Sequence, residues 1–312
     1  AGSNASESCR SEVSEPAAPG VRKDSQLVFA EKTHTALILD WDDTIFPTTW
    51  VREVMDWRYP LREQPQLEIG PRLEAIEGYL QRHRVRAQEF LAEAAEQANV
   101  FIVTLARRPW VERSMERFMP ELGAFMKTHD FKVIYAQDHV DAQELQRLSA
   151  QATVEEVMEF WIRIKSDAIT REMDEFHARL DASWKNVISL GDSDYERYGT
   201  VRAGEVYMSR ELGDEYHQSA GGFTPEGVSA DGHLKRLRLK IVKLLDNPTV
   251  VELTAELVLL RMWLPHMIQR DSGFELELNA TDDDEYLIEL HQAVTGERSA
   301  LSWRALAGMQ PE

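Results

Sequence analysis

Three carboxylates crowd into four positions at Asp40, Asp42 and Asp43, directly after the apolar run Ala36-Leu37-Ile38-Leu39. The run is too short for a helix and suits a buried parallel strand. In open α/β sheets reactive groups gather outside the carboxyl ends of the strands, where Asp40 and Asp42 are then expected. Acids at the edge of an apolar core repel one another and lose hydration. Beyond a simple Asp-rich turn, such a cluster implies a catalytic duty or a bound cation, and a divalent metal answers both needs. A second short run, Val187-Ile188-Ser189-Leu190, breaks at Gly191 into Asp192, Ser193, Asp194 and Glu196. A third, Val100 to Val103, ends in Thr104 and is followed by Arg107 and Arg108. Those two cations suit a phosphate or a substrate carboxylate, or equally a solvated loop. Lys165 lies inside a long helical pattern that carries Trp161, Ile162, Ile164 and Ile169.

The order apolar strand, Asp, any residue, Asp, any residue, Thr, spanning Asp40 to Thr44, resembles the first motif of the haloacid dehalogenase-like (HAD) superfamily of phosphohydrolases. The resemblance implies that Asp40 attacks phosphorus and that Asp42 protonates the leaving group and later activates water. The reaction then passes through an aspartyl-phosphate. Thr104 resembles the second motif, whose hydroxyl holds a phosphoryl oxygen, with backbone N–H groups and a helix start near Trp110 assisting. Lys165, between the third and fourth strands, is similar to the third motif, whose ammonium steadies the nucleophile and the phosphoryl charge. Lys185 is the rival, but it immediately precedes the next strand, which is late for the family.

Gly191-Asp192-Ser193 followed by a further acid resembles the fourth motif, whose acids bind magnesium. Asp192 is then the main ligand, with Glu196 at a later position where the family often has Asp, and Asp194 as an outside alternative. Magnesium retains several waters, so Asp40, the backbone oxygen of Asp42 and Asp192 suffice as protein ligands. A neutral leaving alcohol needs a proton donor, and an Asp at the position of Asp42 marks the family's phosphatases. The resemblance thus implies a magnesium-dependent phosphomonoester hydrolase, with a bulky or macromolecular substrate such as a phosphoprotein. A small-metabolite phosphatase and a catalytically silent HAD-like scaffolding subunit are the alternatives.

The elements that position these residues are expected to form an α/β fold. A Rossmann-like parallel sheet is flanked by helices, with an enlarged flap and no full cap domain. Residues 1–30 read as a disordered tail, 31–269 as the phosphatase domain with a flap or minimal cap insertion at 46–70, and 270–312 as a C-terminal extension. Leu73, Ile76, Leu80, Ala87, Phe90, Leu91 and Ala94 repeat at helical spacing, with Pro71 suited to the helix start. Trp50 and Trp57 either line the entrance or pack the flap onto the core. Asp138 to Ala152 reads as a polar connection. Leu237, Leu239 and Ile241 alternate with Arg238 and Lys240, as a half-buried edge strand would. Asn247-Pro248-Thr249 opens a helix with Glu252 placed for a capping box. The last stretch reads as a solvated tail, a peripheral helix or a docking segment for a protein partner.

Composition sets the outer bounds. Lys plus Arg number 35 against 54 Asp plus Glu, a net charge of -19 over 312 residues. That field disfavours nucleic acid as a partner and makes an anionic substrate depend on local positive charge. The single cysteine, Cys9, permits no intrachain disulfide; with the acidic charge it is compatible with a reducing interior, cytoplasmic or organellar. No stretch approaches 18 uninterrupted apolar residues, so no transmembrane segment is expected. The sequons at Asn4 and Asn279 read as chance matches.

Overall fold

The computed structural model describes residues 26–64, 72–180, 182–213, 216–218, 221–230, 232–279 and 283–308. Residues 1–25 of the expected tail, with Cys9 and the Asn4 sequon, lie outside the described residues. So do Pro71, residues 65–70 of the expected flap, and Ala280, Thr281 and Asp282. The first half contains β1 (Thr35–Leu39), α1 (Thr48–Val54), α2 (Leu73–Gln97), β2 (Asn99–Thr104), α3 (Trp110–Phe118), α4 (Pro120–Thr128), β3 (Lys132–Tyr135), α5 (Ala142–Gln151) and α6 (Val154–Leu180). The second half contains β4 (Asn186–Gly191), α7 (Asp194–Leu212), β5 (His217–Gln218), β6 (Pro225–Val228), β7 (Leu234–Arg236), β8 (Arg238–Lys243), α8 (Val250–Gln269), β9 (Phe274–Glu277), α9 (Asp284–Thr295) and α10 (Trp303–Leu306).

Six strands form one parallel sheet in the order β3-β2-β1-β4-β8-β9. Strand side chains alternate between its faces, so β1 divides its apolar residues between two cores. Leu37 and Leu39 join the cluster beneath α2, α3, α4 and α8, while Ala36 and Ile38 join the one beneath α6 and α7. The result is a Rossmann-like α/β layering in which β1 is buried along its whole length. In α2 the buried residues Ile76, Leu80, His83, Ala87, Phe90, Leu91 and Ala94 make one stripe. Helix α8 is apolar nearly all round because it packs between α2 and the later helices α9 and α10. Its start carries the expected capping box: Thr249 and Glu252 satisfy each other's backbone N–H groups. No helix among the described residues is long and apolar enough to cross a membrane.

Three segments differ from the sequence expectation. Strand β8 is interior, not an edge, and all six of its residues are buried. Two of its three cationic side chains, Arg238 and Lys240, sit toward the amino end of the sheet, where acceptors are available. Lys240 bonds the Asn186 side-chain oxygen at 2.7 Å and the Ile268 carbonyl at 3.2 Å, and Arg238 pairs with Asp271. Alternating charge therefore marked paired cations, not solvent. The edge is instead β9, so residues expected as an extension complete the sheet, and Leu287, His291 and Trp303 behind it are buried. The polar stretch before α6 contains helix α5, opened by Asp141, whose side chain accepts from the Gln143 N–H at 2.7 Å.

A small antiparallel sheet, β5-β6-β7, joins α7 to β8. Its loops bond the beginning of β8, through Leu237 N–H to the Pro225 carbonyl and Leu239 N–H to the Phe223 carbonyl. That is the end of the sheet opposite the acidic residues.

Packing of the C-terminal helices on α8 predicts a measurable cost for emptying their contact. Leu287, fully buried in α9, is expected to lose about 2–5 kcal/mol of unfolding free energy on substitution by Ala, read from denaturant melts. A loss under about 0.5 kcal/mol, the range of exposed positions, would show that α9 does not share the core.

Candidate active site

The carboxyl ends of β1 and β4 lie side by side because the strands pair in parallel with Leu39 opposite Leu190. The Asp40 N–H continues the ladder to the Leu190 carbonyl at 3.0 Å. Asp40 and the Gly191-Asp192 turn therefore leave neighbouring strands at the same level, about 4.8 Å apart. Thr104 ends β2 on the other side of β1.

Helix α6 delivers the cation. Lys165 is completely buried, and its Nζ lies 2.5 Å from Asp40 Oδ1 and 2.5 Å from Glu196 Oε1. Burial alone would pull the ammonium down, but the charges of Asp40 and Glu196 outweigh it and hold Lys165 above its ordinary value. Burial pushes the Asp40 carboxyl up; Lys165 pulls it back, and Glu196 and Asp42 push it up again, to about 8. Asp192, which pairs with no such cation among the described residues, is driven up to about 9, by burial first and then by Glu196, Asp40 and Asp43. One ammonium thus faces more carboxyl charge than it can neutralise.

Two glycines make the triad possible. A Cβ on Gly191 would stand 2.3 Å from Glu196 Cγ, and one on Gly199 would stand 3.1 Å from Lys165 Cβ. Gly191 is thus required by the close approach of Glu196, more than by the turn itself. Glu196 was expected at the metal. Its observed partners are Lys165 and, through Oε2, the Ser193 N–H at 3.1 Å and the Ser193 hydroxyl. At the third position of α7 it closes a capping box on Ser193, and this fold-back aims its other oxygen at Lys165. Asp194 faces Arg197 at 3.6 Å.

The flap begins as a tight turn. Ile45 and Phe46 N–H groups return to the Trp41 carbonyl, and Asp43 takes a positive φ of 49°. Asp43 then binds the Thr49 N–H at 2.9 Å and its hydroxyl at 2.6 Å, so it braces the start of α1. Buried His83 bridges this turn to α8: its Nε2–H donates to the Ile45 carbonyl at 2.9 Å, and Nδ1 meets Thr254 at 3.1 Å. Burial pushes its pKa down to about 4, so the ring is neutral near pH 7. In this frame Asp42 Oδ1 accepts from the Thr48 hydroxyl and from the Trp110 indole N–H at 2.7 Å. Thr104 Oγ1 lies 3.4 Å from Asp42 Oδ2 and accepts the Ala106 N–H at 2.9 Å.

Lys165 thus joins Asp40 to Glu196, and Asp42 meets Thr104, at neighbouring strand ends, with Asp192 following the adjoining strand. The arginines are directed elsewhere. Arg107 reaches the Gln137 side chain at 3.2 Å, and Arg108 pairs with Asp138 at 2.8 Å and lies over the Tyr135 ring. Lys185 stands at the far end of β4, bonded to Ser183 and His34. Trp57 stacks edge-on against Trp110, and Trp50 against Tyr79. Trp110 was legible only as a helix start; its polar contact with Asp42 carried no signal in the local pattern.

Among the described residues no three His, Cys, Asp or Glu side chains form a ready metal cluster. The candidate set is instead Asp40 and Asp192 with the backbone carbonyl of Asp42. Two crowded carboxyls whose ionised forms are disfavoured fit a hard divalent cation that would neutralise them. Compared with known protein families, with curated proteins and with solved structures, the chain matches none.

The raised carboxyls set the direction of pH dependence. Between the ordinary carboxyl value of 3.8 and about 9, the folded chain holds a proton on Asp192 that the unfolded chain has released. Metal-free stability therefore falls as pH rises through that window. Asp192→Asn is expected to raise the melting temperature, more at pH 8 than at pH 5, and added magnesium to raise that of the parent most at the higher pH. A variant whose gain is the same at both pH values would contradict the crowding of these acids.

Proposed function

We propose that the protein is a magnesium-dependent phosphomonoester hydrolase of the HAD type, with Asp40 as its nucleophile. The observation that carries this reading is the buried Lys165 bonded to Asp40 at the end of β1, beside the acids that follow β4. Thr104, from a third strand end, reaches Asp42 in the same place. Contacts among four segments far apart in the chain support a common purpose better than any one motif does.

In this reading Lys165 engages Oδ1 of Asp40 and leaves Oδ2 to attack phosphorus. The bond from phosphorus to the ester oxygen breaks as that oxygen takes the Asp42 proton, and the alcohol departs. Asp42, now ionised, accepts a proton from water as the water oxygen bonds to phosphorus. The bond between phosphorus and Asp40 then breaks, releasing inorganic phosphate and restoring the nucleophile. Thr104 and the N–H groups after it hold a phosphoryl oxygen. Magnesium, held by Asp40, Asp192 and the Asp42 carbonyl, supplies charge stabilisation to the phosphoryl oxygens when bound. Lys165 is already shared by two carboxylates, so the local positive charge that a net charge of -19 otherwise denies an anionic substrate would come from the bound cation.

A bulky or macromolecular phosphomonoester, such as a phosphoprotein, is the substrate class proposed. Among the described residues the β5-β6-β7 sheet is the only unit outside the main sheet and its helices, and it sits at the opposite end from the acids. A large substrate would itself exclude water from the site.

Phosphate release from p-nitrophenyl phosphate tests the chemistry. With magnesium the parent is expected to turn over, a chelator to stop it, and Asp40→Asn to lose more than about a thousandfold. Equal rates for parent and variant would leave a fold without this activity, which is the scaffolding alternative.

A further inference from the structure

Donors from three segments converge on the Asp42 carboxyl, and they treat its two oxygens unequally. Oδ1 accepts from Thr48, at the first turn of α1, and from the Trp110 indole at 2.7 Å, at the first residue of α3. Among the described residues Oδ2 has only Thr104, at 3.4 Å. With both lone pairs of Oδ1 engaged, a proton on this carboxyl belongs on Oδ2.

The indole suits such a clamp. It donates and never accepts, so it holds the carboxyl without competing for its proton. Its own orientation is over-determined. The Trp110 ring meets Phe46 edge-on at 6.0 Å and 89°, and Trp57 at 5.9 Å and 81°. The Arg52 guanidinium lies over it at 5.7 Å. Its backbone N–H returns to the Arg107 carbonyl at 2.9 Å, which fixes it to the loop that begins at Thr104. A donor locked by packing holds its partner within the narrow range that proton transfer requires.

We propose that Trp110 is a positioning residue for the general acid: its N–H, together with the Thr48 hydroxyl, pins Oδ1 of Asp42 so that Oδ2 carries the proton delivered to the ester oxygen. This assignment rests on the phosphatase reading above and adds a residue that none of the four motifs contains. The proton leaves Oδ2 as the bond from phosphorus to the ester oxygen breaks, and the electron pair of that bond stays with the departing oxygen. Trp110 itself neither gains nor loses a proton.

Leaving groups of different demand separate positioning from mere packing. A benzyl alkoxide must be protonated as it departs, whereas p-nitrophenolate leaves unaided, and the two esters are similar in size. Trp110→Phe keeps the ring and removes the N–H. Its kcat/KM is expected to fall about thirtyfold for benzyl phosphate and less than about threefold for p-nitrophenyl phosphate, with KM nearly unchanged. Thr48→Val removes the other donor to the same oxygen and is expected to show the same skew, which decides the matter should Trp110→Phe give no cooperative melt. Asp42→Asn marks the largest skew attainable. Equal losses on both esters, or no loss, in these variants would overturn the assignment while an inactive Asp40→Asn upheld the phosphatase reading. Equal rates for the parent and Asp40→Asn would remove both.

Discussion

The buried ammonium of Lys165, shared between Asp40 and Glu196, is the interaction on which the site's geometry depends. Three charged groups taken out of water carry a desolvation cost that only short, well-aimed bonds offset, and loss of any one partner leaves an uncompensated charge inside the protein. The triad therefore demands a single arrangement of a strand end (β1), a helix interior (α6) and a helix start (α7). Gly191 and Gly199 answer the same demand by removing the Cβ atoms that would stand in its way. The capping box at Ser193 answers it too, because it fixes the far oxygen of Glu196 and so aims the near one.

Around that triad the charges do not balance. Asp42 and Asp192 add carboxyls to a place that already has one more than its cation can neutralise, and burial removes the water that would otherwise screen them. Burial and like charge both favour the protonated form of Asp192, and they push Asp40 up as well, where the Lys165 ammonium pulls it back. Such a place stores a preference for positive charge, which is the physical basis for reading it as a cation and phosphoryl site. Asp42 is held by a different device, neutral donors from the flap, the end of β2 and the start of α3, so Asp40 and Asp42 lie in two distinct electrostatic settings two residues apart.

Much of this was legible because the candidate groups sit at strand ends. Short apolar runs ending in Asp40, Thr104 and Gly191-Asp192 announce both the strands and the side of the sheet where their last residues emerge. Lys165 was legible only by its place between the third and fourth strands, since a lysine in a helix normally faces water. Local pattern failed where partners come from afar. Arg238 and Lys240 alternate with apolar residues as a surface strand would, yet acceptors on Asn186, Ile268 and Asp271 bury them. The stretch before β9 looked like the end of the domain because a four-residue edge strand has too few residues to announce itself. Glu196 followed a local rule, the capping box, that competes with the metal role implied by the motif resemblance.

By itself the sequence determined the α/β class, the strands that carry the acids and which polar side chains end those strands, because those features are written in residue type and short-range period. Only the tertiary structure decided which groups touch: that Lys165 bonds both Asp40 and Glu196, that Arg107 and Arg108 turn away, and that Trp110 meets Asp42 across 68 residues of chain. Such contacts depend on how helices pack on the sheet, and packing is a property of side-chain volume and direction over the whole domain, which no local spacing encodes.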